Sequence, residues 1–192
     1  MDGQDGYAKQ KSMNPLILKA LSTLAGQKLL ITIDGVAGCG KTTLASECEE
    51  ILQGRGFSVT TIHMDDLYDG WNNALTQRLS QTLVEIVDGF KTGEFAFSSY
   101  DWFANIFNER RTFASPDILI LEGVGSGQKV IRDDVTLSIW IDMDPQIARE
   151  RVVTRDGERV RPYMDQWLIN QQTHFQAEGT QGAADYCIDG AP

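Results

Sequence analysis

Three observations predict a three-layer αβα sandwich built on a parallel, doubly wound sheet of about five strands. Short apolar runs bounded by turn residues, at residues 28–33 (KLLITI), 57–64, 117–121 (DILIL), 136–141 and 186–188, read as buried strands. Stretches with apolar residues at helical spacing lie between most of them. Strands joined through helices need crossover connections, which run neighbouring strands parallel and cover both faces of the sheet. Finally, the first strand runs straight into a glycine-rich segment, DGVAGCGKTT, that opens a helix.

Taken in order, residues 1–13 are polar, glycine-containing and without period, and are expected to be a disordered tail. Residues 14–192 are expected to form one domain. Asn14 and Pro15 make a cap and first-turn pair before Leu16, Ile17, Ala20, Leu21 and Leu24, which recur on one helical face until Gly26. After the strand at 28–33, a helix over about 42–53 puts Leu44, Ala45, Cys48, Ile51 and Leu52 on one face, and Gly54 and Gly56 stop it. The strand at 57–64 ends in Asp65-Asp66. A helix over about 73–90 carries Leu75, Leu79, Leu83, Ile86, Val87 and Phe90. The aromatic-rich stretch 95–113 is expected to be irregular. The strand at 117–121 ends at Glu122-Gly123, and after the strand at 136–141 Asp144-Pro145 starts an arginine-rich helix. Residues 162–177 are expected to be helical around Trp167, Leu168 and Phe175.

With 192 residues, 42% of them apolar and 23% charged, the chain can bury a sizeable core. A net charge of −10 argues against a nucleic-acid groove, which normally needs a basic face, but leaves room for local donors around a nucleotide. Cys39, Cys48 and Cys187 have neither disulfide-framework nor metal-site spacing, and His63 and His174 are too few for a histidine-rich metal site. No apolar run approaches a membrane span, and no apolar signal core opens the chain, so a cytoplasmic protein without membrane or nucleic-acid partners is expected. A homo-oligomer remains open.

Gly35-Val36-Ala37-Gly38-Cys39-Gly40-Lys41-Thr42 matches G-x-x-x-x-G-K-[ST] completely, followed by Thr43. Glycines let successive backbone N–H groups turn around a phosphate, and the start of the next helix adds its positive dipole end. With glycine at roughly 7% of residues, the bare pattern arises by chance in about one chain in a hundred of this length. Its position between strand and helix makes chance rarer, so residues 35–43 are read as a P-loop that holds ATP. Lys41 would bridge the β- and γ-phosphates from near the surface of the loop, and the Thr42 hydroxyl would ligate Mg²⁺. Cys39 reads as a tolerated small residue.

Ligands of a doubly wound sheet sit beyond the carboxyl ends of its strands. Asp65, Asp66 and Glu122 end strands and should converge on the loop, one on Mg²⁺ and another accepting a proton from an attacking hydroxyl. Alternatively, Asp65 and Asp66 cap the following turn. Asp34 reads as an orienter of backbone. Arg149, Arg151, Arg155, Arg159 and Arg161 crowd one stretch, and Arg151 and Arg155, four apart, share a helical face. They form either a phosphate-clamping lid over about residues 151–163 or a solvated face paired with Glu150, Asp156 and Glu158.

Several segments resemble uridine–cytidine kinases and their relatives, phosphoribulokinase and bacterial pantothenate kinase. Asp65-Asp66-Leu67-Tyr68 looks like that family's D-S-F-Y, Tyr100-Asp101-Trp102 like its Y-D-F, Ile120-Leu121-Glu122-Gly123 like its strand ending in Glu-Gly, and the stretch 151–156 like its lid helix ending in Arg-Asp. The resemblance runs through residues 28–188 in the family's order. It is nearest to uridine-kinase-like proteins with D-D-L-Y before a Gly-Trp pair, here Gly70-Trp71. It implies Asp65 as general base, a metal role for Glu122 with Thr42 and Asp65, and Asp66, Tyr68, Tyr100, Asp101 and Trp102 on the acceptor. Asp66 replaces a small hydroxyl residue, and the stretch 101–111 lacks the histidine that the family places after Y-D-F.

The chain is therefore expected to be an ATP-dependent small-molecule kinase using Mg²⁺, with Asp65, Lys41, Arg151 and Arg155 in catalysis. Its acceptor would be a hydroxyl, foremost the 5′-hydroxyl of a nucleoside. A pantothenate-like or sugar-like alcohol is the alternative, and a regulatory nucleotide switch with a protein partner the alternative of another class.

Overall fold

The sequence LLITIDG is buried along its whole length as strand β1 (Leu29–Gly35), the centre of the sheet. The computed structural model describes Pro15, Ser22 and residues 27–190. The tail expected over residues 1–13 and the helix expected around Leu16, Ile17, Ala20, Leu21 and Leu24 lie outside the described residues.

From β1 the chain crosses through helix α1 (Lys41–Gln53) to β2 (Val59–His63) at one edge. Helix α2 (Gln77–Thr92) follows and buries Leu79, Leu83, Ile86, Val87 and Phe90, the periodic face read from the sequence. The chain returns as β7 (Ile118–Glu122), continues on the other side as β8 (Leu137–Asp142), and reaches the far edge as β9 (Tyr186–Asp189). The order is β2-β7-β1-β8-β9, with every pairing parallel. Helix α3 (Pro145–Asp156) starts at Asp144, whose carboxylate accepts from the amides of Gln146 and Ile147, with Pro145 in the first turn. Helix α4 (Arg161–Glu178) and the short α5 (Thr180–Ala183) precede β9.

The doubly wound sheet, flanked by helices, is thus as the apolar runs require. The stretch 95–113 differs from its expectation. Instead of irregular chain it forms two antiparallel ribbons, β3 (Glu94–Phe97) with β6 (Arg111–Ala114), and inside it β4 (Tyr100–Asp101) with β5 (Ile106–Phe107). Strands of two to four residues are too short for a period-2 pattern to stand out. What holds the outer ribbon is ring contact, since Phe95, Phe97 and Phe113 stack on one another.

Candidate active site

Register alone brings two candidate groups together. Glu122 pairs with Ile33 on β1 and with His63 on β2, so Glu122 and His63 stand side by side at the carboxyl end of the sheet. Glu122 is 4% exposed, and its Oε1 accepts from the Thr42 hydroxyl at 3.0 Å and meets His63 Nδ1 at 2.5 Å. That bond to Glu122, stronger than the opposing effect of burial, holds the His63 imidazole above its ordinary pKa. The sequence reading gave His63 no role here. Its position at the end of a strand, two residues before Asp65, was the signal available.

The loop at residues 35–42 closes on this point. A Cβ at Gly35 would collide with the Ile141 carbonyl, and one at Gly38 (φ +89) with the Ala148 carbonyl and Val152 on α3. Both positions therefore need glycine for close approach, which presses the loop between β8 and α3. Helix α1 starts at Lys41, and its first amides have no intrahelical carbonyl to bond. Ala37, Gly38, Gly40, Lys41, Thr42 and Thr43 line a cleft of about 1770 Å³. Gly35, Val36 and Cys39 are buried behind the loop, and burial pushes the Cys39 thiol above its usual pKa.

Lys41 departs from expectation. It is not near the surface but 7% exposed, with its ammonium donating to the carbonyls of Gly35 at 3.0 Å and Val36 at 2.8 Å. A cation beside inward-facing carbonyls finds them before any phosphate is present. Asp34 orients backbone as expected: its carboxylate accepts from the amides of Gly35, Gly125 and Gly127. Burial nevertheless raises its pKa to about 6.

Asp65 follows β2 in the turn Met64–Asp66 and opens onto the same cleft. Desolvation by the surrounding walls holds its carboxyl above the usual range, opposed by Lys41, reinforced by Glu122, and opposed again by Arg155. Lys41, Glu122 and Arg155 line the same cleft. Asp66 does not line the cleft. Its carboxyl is also raised, by partial burial first, with His63 opposing.

The arginine stretch is not one helix. It ends α3 at Asp156, breaks at Gly157 and resumes as α4. Arg151, Arg155 and Arg159 line the cleft, and Arg159, on the connecting turn, lies within the expected lid but was not singled out with Arg151 and Arg155. Arg155 makes two 2.7 Å bonds to Asp156. Arg149 and Arg161 are turned to other partners, Glu150 and Asp165 for the first and Glu150 and Glu158 for the second.

The remaining wall is aromatic. Trp71 stacks on Tyr163 at 5.3 Å and meets Trp102 and Trp167 edge-on, while Tyr68 packs against Trp167 and donates to the Val124 carbonyl at 2.7 Å. Trp102 donates its indole N–H to the Asp65 carbonyl at 3.0 Å, and Phe103 beside it is 98% exposed. Trp71, Tyr163 and Trp167 were not expected in the site. Tyr100 and Asp101 were expected, yet neither lines the cleft. Tyr100, 9% exposed, lies behind Trp102 with its ring against Trp102 and Phe107. Asp101 Oδ1 accepts from the amides of Phe103 and Ala104, closing the turn between β4 and β5. A carboxylate two residues before free turn amides caps them as readily as it would meet a ligand.

No described helix is long and apolar enough to cross a membrane. Scanned against models of known protein families, the chain matches none. Over 157 residues it is 29% identical to uridine kinase from Staphylococcus aureus strain JH9, covering 74% of each chain. In fold it is similar to a possible uridine kinase from Bacillus stearothermophilus, with a TM-score of 0.65, 20% identity, and coverage of 93% of this chain and 100% of that one. It is also similar to D-glycerate 3-kinase from Cryptococcus neoformans, with a TM-score of 0.64, 12% identity, and coverage of 88% and 87%. The chain is thus similar in sequence to a uridine kinase and in fold to these structures, and the likeness supports a small-molecule kinase.

Proposed function

We propose that this chain transfers the γ-phosphoryl group of ATP to the hydroxyl of a small acceptor carrying a flat ring, a nucleoside-like alcohol phosphorylated at its 5′-hydroxyl. The observation that carries the reading is one cleft lined both by the loop with Asp65 and by Trp71, Trp102, Phe103 and Tyr163. Phosphates would be held by the loop amides and by Lys41, which would exchange the Gly35 and Val36 carbonyls for phosphate oxygens. Mg²⁺ fits beside Thr42 and Glu122. The hydroxyl and carboxylate oxygens already lie 3.0 Å apart, and this ion takes few protein ligands along with phosphates and water. When bound it neutralises charge on the transferring phosphoryl oxygens.

Asp65 accepts the acceptor's proton. Its side chain is exposed to the cleft, where an acceptor hydroxyl can reach it. Arg151, Arg155 and Arg159 offer guanidinium forks to the phosphoryl oxygens, with Arg155 leaving Asp156 to do so. The aromatic wall gives the acceptor a face to stack on and displaces water, which would otherwise compete for the phosphoryl group. A second reading, a sugar-like or pantothenate-like alcohol, draws on Tyr100 and Asp101 standing off the cleft.

Incubation with labelled ATP-Mg²⁺ and a panel of nucleosides, sugars and pantothenate-like alcohols decides. Transfer to a nucleoside supports the reading, transfer only to another alcohol replaces the acceptor, and ATP binding without transfer to any of them points to a switch.

A further inference from the structure

Helix α4 presents Tyr163, Trp167, Gln171 and Phe175, four residues apart, as one stripe. Tyr163 and Trp167 form part of the aromatic wall, and Phe175 packs against Trp140 of the sheet. Gln171 is the polar member, and it is 2% exposed. A buried amide costs free energy unless bonded, so an apolar residue would suit this stripe better on packing grounds alone. What Gln171 meets is the loop: its side-chain carbonyl accepts the Ala37 N–H at 3.0 Å.

The other hydrogen bonds on this part of the loop come from the loop itself or next to it, those of Lys41 to the Gly35 and Val36 carbonyls included. Gly35 N–H is tied to Asp34 and Cys39 N–H to the Val36 carbonyl. Gln171 reaches Ala37 from 134 residues further along the chain. We infer that Gln171 is a positioning residue for the nucleotide: by holding Ala37 it keeps the amides from Gly38 onward set for phosphate, from the helix that also bears the acceptor wall. The inference rests on the phosphate-binding reading of the loop. A preset loop loses less freedom when the nucleotide binds, so the bond contributes to ATP affinity without touching ATP.

The test is the affinity of ATP-Mg²⁺, by calorimetry, in Gln171→Met, which keeps length and apolar packing but has no oxygen to accept. Gln171→Asn, too short to reach, is the second variant should Gln171→Met fail to fold. Thermal midpoints without nucleotide and KM for the acceptor found by the panel are read alongside, and Lys41→Ala serves as control. Loss of one hydrogen bond predicts ATP binding about three- to tenfold weaker, with the acceptor KM unchanged. Unchanged ATP affinity overturns the inference. So does an equal rise in both KM values with a lowered midpoint, which would make Gln171 merely structural. If wild type binds no ATP, or Lys41→Ala binds it as well as wild type, the phosphate-loop reading itself has failed and the inference falls with it.

Discussion

The two halves of the cleft are built by different means. The phosphate half comes from a continuous loop, the start of α1 and the strand ends of β2 and β7, so backbone spacing and sheet register fix it. The acceptor half takes Trp71 from a loop, Trp102 and Phe103 from a hairpin, and Tyr163 and Trp167 from α4, and ring contacts join Trp71 to Trp102, Tyr163 and Trp167. A phosphate can be held by amides that every residue possesses, which makes spacing decisive. A ring-bearing acceptor is held by side-chain surface, which many combinations of residues can supply.

The largest test of this contrast lies where the halves meet. Asp65→Asn keeps shape but cannot take a proton, so kcat should fall by about 10²–10⁴ with ATP affinity retained. If Asp66→Asn is instead the inactive variant, the general base has been misassigned by one residue.

The phosphate half should also show in the pH dependence of stability. Asp34 holds three backbone amides, and burial raises its pKa from 3.8 to about 6. Between those values the folded state binds more protons than the unfolded chain, so stability rises as pH falls from about 6 towards 4. At about 1.36 kcal/mol per unit this amounts to roughly 3 kcal/mol. Denaturant titrations across that window should show a shallower slope in Asp34→Asn, and equal slopes would remove Asp34 as the cause.

Smaller effects belong to the acceptor half. Trp102→Ala should raise the acceptor KM about five- to hundredfold, as expected for about 1–3 kcal/mol of lost stacking, while KM for ATP changes little. Asp101→Ala should instead cost about 1 kcal/mol of stability through its turn bonds and move the acceptor KM less than Trp102→Ala does. A larger acceptor effect from Asp101 would return it to the pocket and revise the aromatic wall.

By itself the sequence determined the parallel sheet, its strand ends and the loop with Lys41 and Thr42. Buried strands must be apolar, phosphate amides must be spaced by glycine, and neither demand depends on distant residues. Tertiary structure decided what meets across the sheet and the cleft. His63 joins Glu122 only through the register of β2 with β7, and Trp71 meets Tyr163 only once α4 has packed. Asp101 and Lys41 show the same limit from the other side. Each has the right chemistry for a ligand, but nearby amides or carbonyls already occupy it, and which partner lies within reach is settled by three-dimensional distance rather than by residue type.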